Sequence, residues 1–572
     1  MKLIYVLSVL AGLLAPASAL DREAFTFTKY DLDVRIESGQ QRLGVRGQIT
    51  LRNDSNAPQK TVSLQISSTL DWKSIKLGGN AVQFVSQPYT SDVDHTGVLS
   101  EAIITLPQEI PAKGKIELDI GYEGVIPLDA TRLTRIGVPE ELARHNDWDQ
   151  IGTSSTAVRG IGYVAWYPVA MPSANLSEGN NLFETLGRWK TREASSTMQI
   201  HFDVVGDSAN APPELIVDSE PCKSVSLEAG RGQSLISDCS FEPLGATVPA
   251  FVIANYSLLS PSTLHIHYLP EHKPAAENYE LASQLALPFV KEWFGTPRRK
   301  LKIVELADAK ASPFESGDML LTPLNIDSRI AGLTVVHQLT HSAFQSPRLW
   351  IYEGLAHFAQ AAYLEQQSGR PAALDFMAQH RTALVDAEKS LAPERSSSAS
   401  ANESLISTSR EELYRSKAMY VWWMLRDMIG EETLKKALAL YRPDQDKEPS
   451  YVQRLIEAQS KRELEWFFDD WVYRDRGLPD FRVESAYPRH LLGGGYVVTI
   501  TIENLGDAGA QVPVTLVMEG GQVSRLVEVH SKSKSVMRIE AVGTPQEIIL
   551  NDGSVPESDM TNNKFKINPS AN

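Results

Sequence analysis

Long hydrophobic runs are absent from the body of this sequence, where no stretch reaches the ~20 consecutive apolar residues that a membrane-spanning helix needs. Residues 1–19 combine Lys2, an apolar core from Leu3 to Leu14, and small residues just before Leu20. That order is typical of a cleaved secretory signal. We therefore expect an exported protein, periplasmic or extracellular, that does not insert into a membrane.

Cysteine is scarce, with only Cys222 and Cys239 among 572 residues. In an oxidising compartment, a pair separated by sixteen residues predicts a disulfide, whose loop closure stabilises the fold by ~3 kcal/mol. Two buried thiols are the alternative. Because no nearby histidine or third cysteine joins the pair, a structural zinc site at these cysteines is excluded.

Positive charge is also in deficit. The sequence has 55 Lys and Arg against 71 Asp and Glu, and its formal net charge is −16. An acidic surface repels phosphate backbones and anionic lipid headgroups, which argues against nucleic acid or a membrane surface as the partner.

Apolar and polar residues alternate at both ends of the sequence, as in YDLDVRI, GQITL and TVSLQI early on and in YVVTITI and VPVTLVM after residue 479. This period of two predicts strands, whereas most of the segment between these ends has helical spacing. Residues 264–306 predict a strand, then a helix whose apolar positions include Leu281, Leu285 and Phe289, then a second strand. We predict a β-rich domain over 20–260, a mixed α/β and mostly helical domain over 261–478, and a β-sandwich over 479–572. Trp166 and Tyr167 are expected to be core residues of the first domain.

The most informative motif is HQLTH at His337–His341, followed after a gap of eleven residues by Glu353 in WIYEGLAHF. Histidines four residues apart project from one face of a helix, where both can bind Zn²⁺. A carboxylate from a neighbouring helix supplies the third ligand and leaves one position open for water. The sequence therefore predicts a hydrolytic site with one zinc ion.

The spacing of these residues is compatible with that site. Pro347 lies midway between His341 and Glu353, and a proline preceded by Ser346 ends a helix. Two helices folded back about this turn bring His341 and Glu353 level with each other. Packed helices run about 8–10 Å apart, a gap that two side chains and a metal ion can fill.

The residue after the first histidine is Gln338, where the HExxH pattern of zinc peptidases has a glutamate. That glutamate takes a proton from the zinc-bound water. A neutral amide cannot cycle a proton, and general acid/base help is worth ~10²–10⁴ in rate. The sequence therefore predicts a metal site with a degenerate base position.

Residues 331–360 resemble the active-site segment of the membrane alanyl aminopeptidase family of gluzincins. Trp350, Ile351 and the run Glu353–Ala356 match the family's second motif, although the connector before it is shorter than in the family. The resemblance implies a saddle-like first domain, a thermolysin-like catalytic domain and peptide or protein substrates. A β-sandwich is expected in place of the long helical carboxy-terminal domain of many members.

Two further family features are altered. The family tyrosine that stabilises the oxyanion lies two residues before a lysine, but Arg415 takes that place before Lys417 and Tyr414 is one residue early. Tyr414 and Arg415 are therefore alternative oxyanion donors. Lys417 is followed in register by the Met-Leu pair of the family helix.

The family's G-x-M-E-N motif corresponds to Gly317 and Met319, the candidate substrate-binding residues, with Leu320 in place of the glutamate that grips a free amino terminus. Strict aminopeptidase specificity is therefore not expected. Glu315 is the nearest candidate for a substitute base, and Asp318 lies in the same segment.

His357 lies one helical turn after Glu353 and is a candidate support for the site, or else an ordinary helix-face histidine. Near the end of the chain, NDGSVPESDMTNN has many oxygen-bearing side chains, for which a Ca²⁺ site and a simple Asp/Asn turn are alternatives.

Three functions remain open from the sequence. The first is an exported zinc peptidase with a substitute base, and the second is an inactive pseudo-peptidase that binds peptides or acts as an envelope scaffold. The third is a structural envelope protein without metal. Zinc measurements on the protein and on His341→Ala separate the third from the others, and peptide turnover separates the first two.

Overall fold

The computed structural model describes residues 20–178, 181–205, 213–219, 222–229, 232–245, 247–260, 264–324, 327–395, 404–408 and 410–567. The predicted secretory signal at 1–19 lies outside this part. The chain divides into two compact units, one containing the residues up to Tyr256 together with Leu306–Pro323, the other containing Ser257–Glu305 and the residues from Leu324 onward.

The chain up to residue 260 is mostly strand, as the alternating pattern predicts. The strands are β1 Phe25–Glu37, β2 Arg42–Asn53, β3 Gln59–Ser67, β4 Leu70–Leu77, β5 Asn80–Ala81, β6 Phe84–Thr90, β7 Val98–Ile110, β8 Lys115–Val125, β9 Gln150–Ile151, β10 Thr156–Val158, β11 Thr197–Val205, β12 Glu214–Val217, β13 Lys223–Ala229, β14 Gly232–Phe241, β15 Phe251–Ala254 and β16 Ser257–Leu259. The helices here are α1 Thr131–Arg135, α2 Glu140–Asn146 and α3 Asn181–Glu193. A single 3₁₀ turn covers Ser38–Gln40.

In the first unit, eight strands form one sheet in the order β13-β14-β11-β1-β2-β8-β4-β5, and two smaller sheets have the orders β12-β15-β10-β9 and β3-β7-β6. Alternate residues of β1 are buried because successive side chains point to opposite faces of a strand. Trp166 and Tyr167 are fully buried, and Trp166 Nε1 donates to the Pro249 carbonyl at 3.1 Å. The interpretation of these aromatics as core residues agrees with this packing.

The disulfide predicted from the cysteine count is present between Cys222 and Cys239, whose Cα atoms lie 4.5 Å apart. It links β14 to the residue that precedes β13, two strands that pair with each other. The predicted bridge is therefore confirmed, and neither of these two cysteines is a free thiol.

The middle of the chain begins with the predicted order of strand, helix and strand. Its elements are β17 Leu264–Tyr268, α4 Lys273–Phe294, β18 Leu301–Glu305, β19 Phe314–Ser316 and β20 Met319–Thr322, with a 3₁₀ turn at Pro270–His272. In the second unit, β17 pairs with β16 in antiparallel fashion and with β18 in parallel. In the first unit, β19 and β20 form a hairpin.

The apolar face of α4 differs from the predicted one. Leu281 and Leu285 are 53% and 63% exposed, and of the three predicted positions only Phe289 is buried. Ala282 and Ala286 are buried instead, one position further along the helix. Their small side chains belong to the face that packs closely, and α4 makes extensive contact with the next helix.

The described residues between 327 and 478 are mostly helical. The elements are α5 Ser328–Ala343, α6 Leu349–Ser368, α7 Arg370–Arg395, α8 Ala418–Ile429, α9 Glu431–Leu440, α10 Tyr451–Ser460 and α11 Glu465–Phe468, with π-helical turns at Glu412–Lys417 and Asp469–Tyr473 and a 3₁₀ turn at Pro443–Gln445. Among the described residues, no helix has both the length and the apolar character needed to cross a membrane.

Two antiparallel sheets complete the second unit. Their strands are β21 Phe481–His490, β22 Tyr496–Asn504, β23 Ala510–Met518, β24 Gly521–Val529, β25 Lys534–Ala541, β26 Pro545–Leu550 and β27 Lys564–Lys566. The sheet orders are β21-β22-β25 and β24-β23-β26-β27. Alternate residues of β22 and β23 are buried in the same hydrophobic core as the helices.

The oxygen-rich segment near the end of the chain is an internally bonded turn. The Asn551 and Asn563 side-chain amides donate to Glu557 Oε1 at 2.5 and 2.7 Å, and the Phe481 amide donates to Glu557 Oε2 at 2.8 Å. Amide N–H groups surround this carboxylate, as expected for the Asp/Asn turn rather than for a calcium ligand.

Candidate metal centre

The first two residues of the centre lie on α5, which begins with a side-chain cap. Asp327 accepts hydrogen bonds from the backbone amides of Arg329 and Ile330, so two amides at the helix start have partners. His337 and His341 follow one turn apart on one face of this helix. Both are buried, at 8% and 2% exposure.

The third residue is delivered by α6 after the predicted turn. Helix α5 ends at Ala343 and α6 begins at Leu349, so the chain reverses within five residues that include Pro347. The two helices pack against each other, which brings Glu353 beside the histidines. The turn predicted from Ser346 and Pro347 is therefore present.

The three side chains form one compact cluster. His337 Nε2 lies 3.0 Å from His341 Nε2, and His341 Nε2 lies 3.8 Å from Glu353 Oε1. One ligand atom of each residue lies within 4.8 Å of the others. Glu353 is 8% exposed, so the whole cluster is shielded from bulk water.

This cluster has the chemistry and size of a zinc site. A tetrahedral zinc ion bound at ~2.0–2.1 Å places neighbouring ligand atoms about 3.3 Å apart. The separations of 3.0 and 3.8 Å lie on either side of that value. Two imidazole nitrogens and one carboxylate oxygen also form the donor set of a zinc site that keeps one position open. The residues fit a single divalent ion.

Gln338 occupies the base position next to the first histidine. It is 1% exposed and lies within the helix that carries both imidazoles. Its side-chain amide is neutral and does not titrate, so it cannot take up and release a proton during hydrolysis. At this position the centre therefore offers hydrogen bonding and no proton acceptor that can cycle.

Arg415 contacts the carboxylate of Glu353 directly. Its Nε donates to Glu353 Oε2 at 3.2 Å, and its Nη1 donates to Glu411 Oε2 at 3.1 Å. The Tyr414 hydroxyl donates to Glu411 Oε1 at 3.2 Å. Burial raises the pKa of Tyr414 well above its usual value, with the Glu411 charge adding to this effect. Of the two alternative oxyanion donors, Arg415 is the one that contacts a residue of the cluster.

A π-helical turn contains both of these residues. Tyr414 lies three residues before Lys417, and both fall within the π-helix Glu412–Lys417. A π-helix closes its hydrogen bonds between residues five apart, so one turn accommodates one additional residue. Helix α8 then continues with ordinary α-helical winding.

Sequence reasoning missed part of the surroundings of the cluster. The ring of Tyr352 stacks on His341 with centroids 3.9 Å apart. His357, His337 and His380 form a row in which the His357 ring lies 4.9 Å from one neighbour and 5.5 Å from the other. Tyr352 directly precedes Glu353 in the sequence, and this position could have indicated that it lies near the site. His380 is on α7, and no local pattern connects it to the motif.

His357 has a defined hydrogen bond. Its Nδ1 lies 3.0 Å from the Glu353 backbone carbonyl, which can only accept, so Nδ1 carries the proton. Burial lowers the pKa of His357 well below its usual value, and the neighbouring His337 and Arg415 lower it further. The sequence left open whether His357 supports the site, and the structure places it against both His337 and Glu353.

The remaining predicted residues belong to the first unit. Glu315 lies on β19 and pairs with Leu320 of β20. Gly317 forms the turn of this hairpin with a φ of 59°, and a Cβ there would stand 2.5 Å from the Asp218 carbonyl oxygen, so the turn requires glycine. Met319 is 1% exposed. The roles of Glu315 as a base and of Gly317 and Met319 in substrate binding stay predictions.

Comparison with known proteins adds a likeness of fold. No family model and no curated protein matches the chain. Among solved structures, it is similar to Legionella pneumophila aminopeptidase A in complex with aspartic acid, with a TM-score of 0.57 and 12% sequence identity. The match covers 94% of this chain and 60% of that chain, so this chain spans about three fifths of that protein's length. The chain therefore has a multidomain, mixed α/β fold shared with a peptidase.

Proposed function

We propose that this chain is an exported zinc metallopeptidase-like protein that binds one Zn²⁺ through His337, His341 and Glu353 and acts on peptides. The observation that carries the proposal is the convergence of three ligand atoms, from two adjoining helices, within 4.8 Å of one another. The likeness of fold to an aminopeptidase supports the same reading.

The proposal extends to the finer architecture that the gluzincin resemblance implies. Residues 20–260 are a saddle-like domain, 261–478 a thermolysin-like catalytic domain and 479–572 a β-sandwich. The strand-rich start, the helical middle and the two final sheets support this division. Export by the signal at 1–19 and the absence of membrane insertion belong to the same proposal.

The residues of the site have separate roles in this proposal. Zinc, when bound, polarises a peptide carbonyl and lowers the pKa of its water to about 7. His337, His341 and Glu353 hold the ion, and their burial keeps bulk water away from it. Tyr414 and Arg415 stay the alternative oxyanion donors of this proposal.

Gln338 supports a second candidate function, in which the site binds peptides without turning them over. Its amide holds the place of the general base but cannot accept and release a proton during a catalytic cycle. Under this second function, zinc and the peptide groove serve binding or an envelope scaffold. Under the first, Glu315 acts as the substitute base.

The test begins with metal content. Purified protein analysed by elemental mass spectrometry is expected to contain one zinc per chain, and His341→Ala is expected to contain much less. A wild-type protein that takes up no zinc at neutral pH would contradict both candidate functions and leave a structural envelope protein. His530→Ala is a matched control because His530 lies outside the helical segment and pairs with Glu528.

Peptide turnover then separates the two candidates. Chelator-sensitive cleavage of a peptide library by the wild type supports the peptidase, and zinc binding without cleavage supports the binding protein. A Glu315→Gln variant adds resolution: loss of cleavage with retained zinc supports Glu315 as the base, whereas unchanged cleavage removes it from that role.

A further inference from the structure

We infer that Arg415 is a positioning residue that keeps Glu353 a one-oxygen ligand and thereby keeps the fourth position of the metal site open. This inference rests on the proposed zinc site and adds a role that neither the motif nor the fold assigns. The observation that supports it is the placement of the two Glu353 carboxylate oxygens, which contact different partners.

The two carboxylate oxygens of Glu353 face different groups, one the Arg415 guanidinium and the other the His341 imidazole. Oε2 accepts from Arg415 Nε at 3.2 Å, and Oε1 lies 3.8 Å from His341 Nε2. The Glu353 side chain is 10% exposed, so water competes little for either oxygen. A guanidinium remains protonated throughout the physiological range, and it therefore favours the ionised carboxylate that a metal requires.

This division has a consequence for coordination. A carboxylate can bind a metal ion through one oxygen or through both. Binding through both would take up the position that a catalytic zinc site leaves open for water or substrate. With Oε2 held by Arg415, Oε1 is the oxygen presented toward the histidines.

The position of Arg415 is itself fixed. Glu411, one turn earlier, accepts from Arg415 Nη1 at 3.1 Å, and it immediately precedes the π-helical turn that contains Arg415. The Arg415–Glu411 pair carries no net charge, so the guanidinium repels a dication less than an isolated cation would. Glu411 therefore contributes to metal affinity through Arg415.

Cobalt(II) is a suitable probe because its visible absorption is stronger in four-coordinate sites than in five- or six-coordinate ones. Full-length wild type, Arg415→Met and Arg415→Lys are titrated with cobalt chloride. Loss of a residue that orients a metal ligand typically costs about 10- to 100-fold in metal affinity. We expect a loss of that size in Arg415→Met, together with a weaker visible band, and partial recovery of both in Arg415→Lys.

The matched control is Arg454→Met, which removes an arginine from an exposed ion pair with Glu448. It is expected to bind cobalt like the wild type. An Arg415→Met protein with the affinity and band of the wild type would overturn the inference. If Arg415→Met does not fold, Arg415→Lys and Glu411→Gln carry the test, because each is expected to weaken binding, and unchanged binding in both overturns the role.

The outcome also separates this inference from the proposed function. Cobalt binding that is lost in His341→Ala but unchanged in Arg415→Met supports the metal site and rejects the role of Arg415. Absence of cobalt binding in the wild type rejects the metal site and the role of Arg415 together.

Discussion

Gly354 lies so close to Ala418 that a Cβ added to Gly354 would stand 2.5 Å from the Ala418 Cβ. The same Cβ would stand 3.2 Å from two ring atoms of Trp422. Trp422 also stacks on Trp350, with ring centroids 5.2 Å apart. Helix α6 thus touches the start of α8 at the residue that follows Glu353. This close approach fixes the position of the Glu353 backbone relative to α8.

Gly354→Ala is expected to destabilise the protein because the backbone, not the end of a flexible side chain, must move to admit the methyl group. Overpacking of this kind costs about 1–3 kcal/mol. Urea unfolding measures the free energy of unfolding, and a zinc titration measures affinity, which is expected to fall as Glu353 shifts.

Gly332→Ala is the matched control. A Cβ at Gly332, in the interior of α5, would meet only Tyr363 Cε1 at an ordinary 3.7 Å. Alanine favours a helix over glycine by roughly 0.5–1 kcal/mol, so this variant is expected to be as stable as the wild type or slightly more stable. Equal effects of the two substitutions would contradict the packing described at Gly354.

Gln338→Glu restores the carboxylate that HExxH peptidases use as a base. If zinc is bound as proposed, peptide hydrolysis is expected to rise by about 10²–10⁴, the usual worth of general acid/base catalysis. Steady-state cleavage of a fluorogenic peptide measures the change.

Gln338→Ala serves as the comparison, since it removes the amide without adding a base and is expected to give no gain. A Gln338→Glu protein that binds zinc and peptide but hydrolyses no faster than the wild type would show that more than the base is missing. The defect would then lie elsewhere in the site.

Lys417, the last residue of the π-helical turn, anchors this turn in the protein interior. Its Nζ lies 2.7 Å from a Glu388 oxygen and 2.5 Å from an Asp475 oxygen, and all three residues are buried. Burial lowers the pKa of Lys417, but the two carboxylates outweigh burial and the net shift is upward. Lys417→Met removes the buried cation that pairs with these two buried carboxylates, which is expected to cost about 3–5 kcal/mol in the free energy of unfolding.

Lys435→Met provides the comparison for this prediction. Lys435 pairs with Glu292, Glu431 and Glu432, whose side chains are at least half exposed. Lys435 itself is buried, but these carboxylates stay hydrated without it, so a smaller change than in Lys417→Met is expected in thermal or urea unfolding. A Lys417→Met protein as stable as Lys435→Met would contradict the anchoring role.

Glu557 is expected to make stability depend on pH. Burial raises its pKa to about 7 from an ordinary value of 4.5, against three N–H donors that lower it. Between those two values the folded protein keeps a proton that the unfolded chain has released, so stability falls as pH rises. The full loss is about 3 kcal/mol from pH 4.5 to pH 7.

Urea unfolding at several pH values checks this, by comparison with Glu557→Gln. The difference in free energy of unfolding between wild type and variant is expected to change across the window from pH 4.5 to pH 7 and to level off above it. Glu519→Gln, at an exposed position near a turn, is the control. A difference that stays constant with pH would contradict the raised pKa of Glu557.

Local patterns in the sequence carried much of the fold. Alternation of apolar residues located the strands of both ends, because burial on one face of a sheet enforces a period of two. The turn at Pro347 followed from the proline ring. The apolar face of α4 was wrong by one position at Leu281 and Leu285, since hydrophobicity alone does not show that alanines lie where a neighbouring helix approaches.

The site was predictable to the extent that its residues share a motif. His337, His341 and Glu353 lie on two consecutive helices, and their spacing indicated that they meet. The contact of Arg415 with Glu353, sixty-two residues away in sequence, depends on the path of the chain between them and on a helical irregularity. Local periodicity indicates neither the path of the chain nor the helical irregularity. For the same reason the sequence did not predict that His380 lies near the site.

The wide turn at Glu412–Lys417 has an evolutionary consequence. A residue inserted into an α-helix ordinarily rotates everything beyond it by about 100°, which would pull Lys417 and the tryptophans of α8 out of the core. A π turn absorbs the insertion locally, so the residues after it keep their neighbours. A new side chain can thus be brought to face Glu353 in one genetic step, while the protein around it remains foldable.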